Sequence, residues 1–243
     1  MNGLDLRHRR SVQELPETLW HCARLVILLG PPGSGKGTQA QRIAGQYGLQ
    51  HLSTGDMLRD NIHRDTELAR QAKLLIHRGK LVSDDIVLRM VQERIAQSDC
   101  KNGFILDGFP RTLPQAQGLE GIFHSYKSQS TTVLNIAVNP DLLMRRLVNR
   151  RICKMSGHIY SVVDRPPIRL GLCDVDGSEL IQRPDDTAPV IRERIRTYER
   201  HIHPLLDYYS VRGSLLHHVE GIGDPDEVMA NIMRVLDAED SAK

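Results

Sequence analysis

Gly30-Pro31-Pro32-Gly33-Ser34-Gly35-Lys36-Gly37-Thr38 decides how the rest of the chain is read. An apolar run, Leu25-Val26-Ile27-Leu28-Leu29, leads into it, and a helix-like run from Gln39 to Tyr47 follows. Strand, glycine loop and helix in that order make a phosphate site for a physical reason. The glycines let backbone N–H groups turn inward, and the helix adds its positive N-terminal end. Lys36 then supplies a mobile cation for the β- and γ-phosphates of a nucleotide. The stretch fits G-x-x-x-x-G-K through Gly30, Gly35 and Lys36. It departs from the strict pattern at Gly37, where Ser or Thr is expected, and Thr38 comes one residue late. A plain glycine-rich turn competes with this reading, but Lys36 and the flanking runs weigh against it.

The 243 residues give room for one large domain or a core with inserts. Hydrophobic content of 40% and charged content of 26% are ordinary for a globular protein. A net charge of +2 is too mild to argue for nucleic acid. No apolar run approaches the roughly 20 residues of a membrane helix, so a membrane partner is not expected. Cys22, Cys100, Cys153 and Cys173 are widely spaced and read as reduced thiols of a cytoplasmic protein. Residues 1–22 carry Arg7, His8, Arg9 and Arg10 but no apolar segment of the secretory kind, and are expected to form a short surface helix or an arm.

Strand and helix alternate beyond the loop. Strands are expected at Leu25–Leu29, near His51, and at Gly103–Asp107, Thr131–Val138 and Leu215–Val219. Helical spacing marks Gly35–Tyr47, Ile86–Ile95, Leu142–Val148, Val190–Tyr209 and Val228–Leu236, with Pro225 placed to open the last helix. The alternation predicts a parallel sheet covered by helices on both faces. Two segments break the rhythm. Ser53–Val82 reads as small helices between strands, and Cys153–Asp186 as a small β insert with Pro166-Pro167 and three glycines.

A second landmark is Leu106-Asp107-Gly108-Phe109-Pro110-Arg111-Thr112 at the end of a strand. Ligands in open α/β sheets bind beyond the carboxyl ends of the strands, so Asp107 and Arg111 share an edge with the glycine loop. A carboxylate there can hold the waters of Mg²⁺, and a guanidinium can fork onto a phosphate. Alone, the pair would pass for an ordinary strand-end turn.

These motifs, together with Ser53-Thr54-Gly55-Asp56-Met57-Leu58-Arg59 and Gln182-Arg183-Pro184-Asp185-Asp186, resemble those of adenylate kinases with a long lid. The resemblance runs from about Arg24 to the C-terminal helix. It implies a monomeric P-loop NTPase-type α/β protein that transfers a phosphoryl group from MgATP to AMP, giving two ADP. It divides the chain into an N-terminal arm (1–22), a P-loop core (23–52, 83–148 and 187–243), an AMP-binding insert (53–82) and a lid (149–186). By resemblance, Lys36, Arg111, Arg150, Arg183 and Arg194 supply the catalytic charge. Gly33, Ser34, Gly35, Lys36, Gly37, Thr38, Arg146, Arg150, Ile159, Tyr160 and Gly223 would bind ATP, with Arg146 stacked along the adenine. Thr54, Arg59, Lys80, Leu81, Val82, Gly108, Phe109, Pro110, Arg111, Gln115, Arg183 and Arg194 would bind AMP. No general base is sought, because the acceptor is already a phosphate oxygen. Gln115 carries one donor and one acceptor end, which suits the Watson–Crick edge of adenine. Any one arginine would also suit a solvated helix face. Asp185 and Asp186 are expected at the lid hinge, with Asp186 either neutralising arginines or capping a helix. Alternatives are a GTP-using AMP kinase, another nucleoside monophosphate kinase, or a nucleotide-binding regulator without turnover.

Mg²⁺ is expected to arrive with ATP, and no protein ligand to a metal is assigned. Cys153-x-x-Ser156, sixteen residues, then Cys173-x-x-Asp176 has the spacing of the zinc-binding lids of the family. Cysteine holds only two of those positions; by resemblance Asp176 could be a third ligand, Ser156 is a poor fourth, and His158 is near enough to substitute although its spacing is wrong. A lid tied by polar contacts is therefore expected, with zinc as the alternative.

Overall fold

The computed structural model describes residues 24–64, 67–126, 131–211 and 215–241. The arm expected at residues 1–22 lies outside them. Strand β1 (Leu25–Leu29) is buried along its whole length. Its alternation feeds two separate cores, because successive side chains leave a strand on opposite faces. Leu25, Ile27 and Leu29 enter one cluster, and Val26 and Leu28 the other.

After β1 come α1 (Lys36–Tyr47), β2 (Gln50–Ser53), α2 (Thr54–His63), α3 (Glu67–His77) and α4 (Asp84–Ile95). Then follow β3 (Phe104–Asp107), α5 (Leu113–Tyr126), β4 (Thr131–Ala137) and α6 (Pro140–Val148). Next are β5 (Arg150–Cys153), β6 (Ile159–Ser161), β7 (Leu180–Ile181), α7 (Ala188–Ser210), β8 (Leu215–Glu220) and α8 (Pro225–Ser241).

Five strands form a parallel sheet in the order β2-β3-β1-β4-β8. Helices α1 and α8 cover one face through Ala40, Ile43, Ile232 and Leu236. On the other face, Val87 and Val91 of α4, Leu119 of α5 and Leu205 of α7 pack against the sheet. The chain leaves β1 toward β2 and β3, and reaches β4 and β8 on the other side of β1. That reversal opens a crevice beyond the carboxyl ends of the strands.

The helix α5 carries no clear apolar stripe in the sequence, where Pro114, Gly118 and Gly121 interrupt it. Its Thr112 carbonyl nonetheless accepts the Ala116 N–H at 3.1 Å, starting the helical ladder. The last helix runs further than its apolar spacing predicts, because its final turns are polar. Strands β6-β5-β7 form a separate antiparallel sheet with its own small core of Cys153, Tyr160, Cys173 and Leu180.

Candidate active site

The glycine loop leaves β1 through Gly30 at φ 144°, and a Cβ there would lie 2.5 Å from the Ile136 carbonyl oxygen of β4. Only glycine fits that turn. Gly35 caps α1 at φ 95° without any side-chain cap, so the helix start stays directed at the crevice. Lys36 curls back over the loop: its Nζ donates to Gly30 O at 2.6 Å, Pro31 O at 2.8 Å and Ser34 Oγ at 3.4 Å. Burial brings its pKa down to about 8; Asp107 opposes this, while Arg111, Arg194 and Arg150 add to it.

Arginines from separate elements face this loop. Arg111 follows β3, and its Nε donates to Gly108 O at 2.7 Å. Although Arg111 is exposed at the mouth of the crevice, desolvation within the cleft and then the neighbouring Arg194 draw its pKa down to about 10, against the pull of Asp107. Arg183, between β7 and α7, is drawn down to about 9 by burial and by Arg59 and Arg150. Arg194 of α7 is lowered by burial as well. Repulsion among guanidiniums is what an anion would relieve.

Acidic partners hold the cluster together. Arg150 Nε and Nη2 fork onto Asp186 at 2.8 and 2.6 Å. Arg194 Nη1 donates to Asp185 Oδ2 at 2.9 Å and to Asp186 Oδ1 at 3.1 Å. Asp186 therefore does not cap α7; Thr187 stands at that position, without a side-chain bond. Asp56 touches Arg59 and lies 3.4 Å from Arg183. Burial would raise the Asp56 pKa, but Arg59 outweighs it and holds it at about 2.

The loop and these arginines line one cleft of about 1500 Å³, together with Arg146, Ile159, Tyr160, Gly223, Leu81, Gly108 and Pro110. Arg146 Nη1 donates to Gly221 O at 3.0 Å, beside Gly223. Thr54, Val82, Phe109 and Gln115 are buried just behind the lining, and Lys80 is exposed outside it. Thr54 Oγ1 donates to Gly108 O at 2.9 Å. Gln115 is 2% exposed; its Oε1 accepts the Arg111 N–H at 2.7 Å and its Nε2 donates to Asp84 Oδ1 at 2.8 Å.

In the small sheet, the ring of Tyr160 turns into the unit's own core, where its hydroxyl meets Cys173 Sγ at 3.4 Å and accepts the Asp174 N–H at 2.9 Å. The spacing of His158 looks wrong in the sequence, yet the fold brings it in. Ligating atoms of Cys153, His158, Cys173 and Asp176 all lie within 4.8 Å of one another. Ser156 stays beside them, its Oγ 3.0 Å from Cys153 Sγ and 2.7 Å from His158 Nδ1.

A family model described as adenylate kinase matches residues 28–214. The chain is 47% identical over 211 residues to an adenylate kinase of Shouchella clausii, covering 87% of this chain and 97% of the relative. The chain belongs to the adenylate kinase family. It is also 44% identical to the adenylate kinase of Bacillus subtilis over 211 residues and 42% identical to that of Archaeoglobus fulgidus over 212, again covering 87% of this chain and 97% of each relative. In this adenylate kinase fold some site residues escape sequence reasoning. His51 Nε2 sits 3.3 Å from Asp107 Oδ2, and Asp84 and Thr112 brace Gln115. Only parallel pairing of β2 with β3 places His51 beside Asp107, and no sequence spacing announces it.

Proposed function

We propose that the cleft transfers the γ-phosphoryl group of MgATP to AMP, reversibly, giving two ADP. The supporting observation is the convergence of Lys36, Arg59, Arg111, Arg150, Arg183 and Arg194 on one cleft, where burial first and mutual repulsion second lower the pKa values of Lys36, Arg111, Arg183 and Arg194. A transferring phosphoryl group carries the charge that such a set stabilises, and alignment plus charge is most of what the reaction asks of a protein.

In this assignment the glycine loop and Lys36 hold the ATP phosphates, Arg146 flanks the donor base, and Arg150 comes from the lid base. Ile159 and Gly223 complete the ATP side. Arg59 and Arg111 hold the AMP phosphate, Gln115 and Thr54 face its base, and Arg183 and Arg194 bridge the two nucleotides. Thr38 and Asp107 offer hard oxygen donors toward the same cleft, which suits a hydrated Mg²⁺. The ion neutralises phosphate charge when bound. We take residues 53–82 as the AMP-binding insert and 149–186 as the lid; closing them excludes the water that would otherwise accept the phosphoryl group. Cys153, His158, Cys173 and Asp176 would hold a structural zinc in the lid, since thiolates with an imidazole suit that ion. We place the protein in the cytoplasm as a monomer, with ATP and AMP as its partners.

Phosphotransfer from MgATP to AMP, GMP, CMP and UMP, with GTP as alternative donor, tests the assignment. ADP formation restricted to ATP and AMP is expected. Equal use of CMP or UMP would refute the acceptor assignment. Tight binding without turnover on every pair would make the chain a regulator. Lys36→Ala is expected to lower kcat/KM on the order of 10³-fold, as loss of a transition-state charge does.

A further inference from the structure

Asp84 opens α4, and its Oδ1 accepts two hydrogen bonds, from Gln115 Nε2 at 2.8 Å and from Thr112 Oγ1 at 3.0 Å. The Thr112 hydroxyl in turn accepts the Gln115 N–H at 3.3 Å. At the other end of the carboxamide, Arg111 N donates to Gln115 Oε1 at 2.7 Å. The circuit is closed, with Thr112 7% and Gln115 2% exposed and Asp84 half-buried.

A carboxamide can be turned end for end at little steric cost, because its oxygen and its NH₂ are nearly the same size. Its hydrogen-bonding order reverses when it turns. Here each end has a neighbour of one kind: a carboxylate, which only accepts, at Nε2, and a backbone N–H, which only donates, at Oε1. Turning would replace two hydrogen bonds by two repulsions. The amide keeps one further N–H and one further lone pair for a ligand. Adenine presents an amino donor beside a ring-nitrogen acceptor. A 6-oxopurine presents a carbonyl acceptor beside a ring N–H donor, so an amide held in one direction pairs with the first and opposes the second.

We propose that Asp84 is a positioning residue for acceptor specificity: by holding Gln115 Nε2 it sets the direction of the carboxamide, and thereby adenine over 6-oxopurine. The proposal rests on the assignment of Gln115 to the AMP base. Asp84 acts only through Gln115, with Thr112 as the brace that keeps the carboxylate in place.

Asp84→Asn keeps the size of the side chain but can donate as well as accept, so it no longer opposes the turned amide and leaves the Arg111 N–H alone to hold the direction of Gln115. Rates with AMP and IMP as acceptors, and KM for each nucleotide, read the effect. The expected result is a rise of about tenfold in KM for AMP, a change within about twofold in KM for MgATP, and a fall of about tenfold in the AMP-over-IMP ratio of kcat/KM, roughly one hydrogen bond. Asp84→Glu, which still only accepts, is expected to keep the ratio even where the rates fall. Equal losses for AMP, IMP and MgATP in Asp84→Asn would make the residue merely structural and overturn the proposal. Gln115→Leu separates the two levels. If it leaves the AMP-over-IMP ratio unchanged, Gln115 does not read the base and both assignments fall. If it collapses the ratio while Asp84→Asn preserves it, Gln115 stands and the role of Asp84 is refuted.

Discussion

Removing the charge of Asp186 tests the electrostatics of the cleft most directly. Its side chain is fully buried and holds Arg150 through two short bonds and Arg194 through a third. Asp186→Asn keeps the volume but leaves two guanidiniums without their shared anion. Breaking a buried ion pair from one side costs about 3–5 kcal/mol. Arg150 and Arg194 retain 14% and 20% exposure, so water recovers part of that. About 3 kcal/mol is the resulting expectation, a fall of roughly 6–12 °C in the thermal midpoint of a chain this size. Phosphates delivered into the cleft would replace the missing anion. A linked bisubstrate mimic of ATP and AMP should therefore raise the midpoint of Asp186→Asn more than that of the wild type. Calorimetry with and without the mimic reads both quantities. An unchanged midpoint in the free variant, or an equal increment in both proteins, would refute the account of Asp186 as the anion that stands between the arginines.

Lys36 gives a pH prediction. Its pKa in the free protein is lowered by burial to about 8, and a bound phosphate should raise it again. The charged form binds, so kcat/KM for MgATP should fall as pH rises through about 8 while kcat holds to higher pH; coincident alkaline limbs in the two profiles would refute this. Gly30→Ala, whose Cβ would meet Ile136 O at 2.5 Å, should cost at least about 2–3 kcal/mol in a denaturant titration. It should also lower turnover on the order of 10²-fold by displacing the loop, so a variant of wild-type stability and rate would contradict the geometry. Purified protein should carry one zinc per chain, measured by elemental analysis. Cys153→Ser should lose the ion and about 2 kcal/mol, a drop of roughly 4–8 °C in melting. Metal-free protein with an unaltered melt would leave the lid to its polar contacts.

The core was legible because its signals are local. Leu25–Leu29 is an unbroken apolar run of strand length, and Gly30 to Thr38 encodes its own backbone shape. Arg150, Arg183 and Arg194 were visible only through resemblance, since arginines at helical spacing look the same on a solvated face. What the sequence hid was juxtaposition. Asp84 and Gln115 meet because α4 packs on α5, and His51 meets Asp107 through strand pairing. The spacing of His158 from Cys153 does not match the family pattern, yet its ring nitrogen joins the cluster. The turn between β5 and β6 returns the chain on itself, with Cys153 N donating to His158 O at 2.9 Å, so distance along the chain says little about distance in space.

The inner quartet of the small sheet, Cys153, Tyr160, Cys173 and Leu180, shares no buried residue with either cluster of the main sheet. Drift in one cluster therefore need not be answered by repacking in the others. The small sheet is the part of this enzyme that can be exchanged as a cassette, provided the graft keeps Arg150, the residue on which β5 opens, and leaves Asp186 after β7 in place. Evolution can then retune the thermal tolerance of this unit without rewriting the arginine cluster beside it.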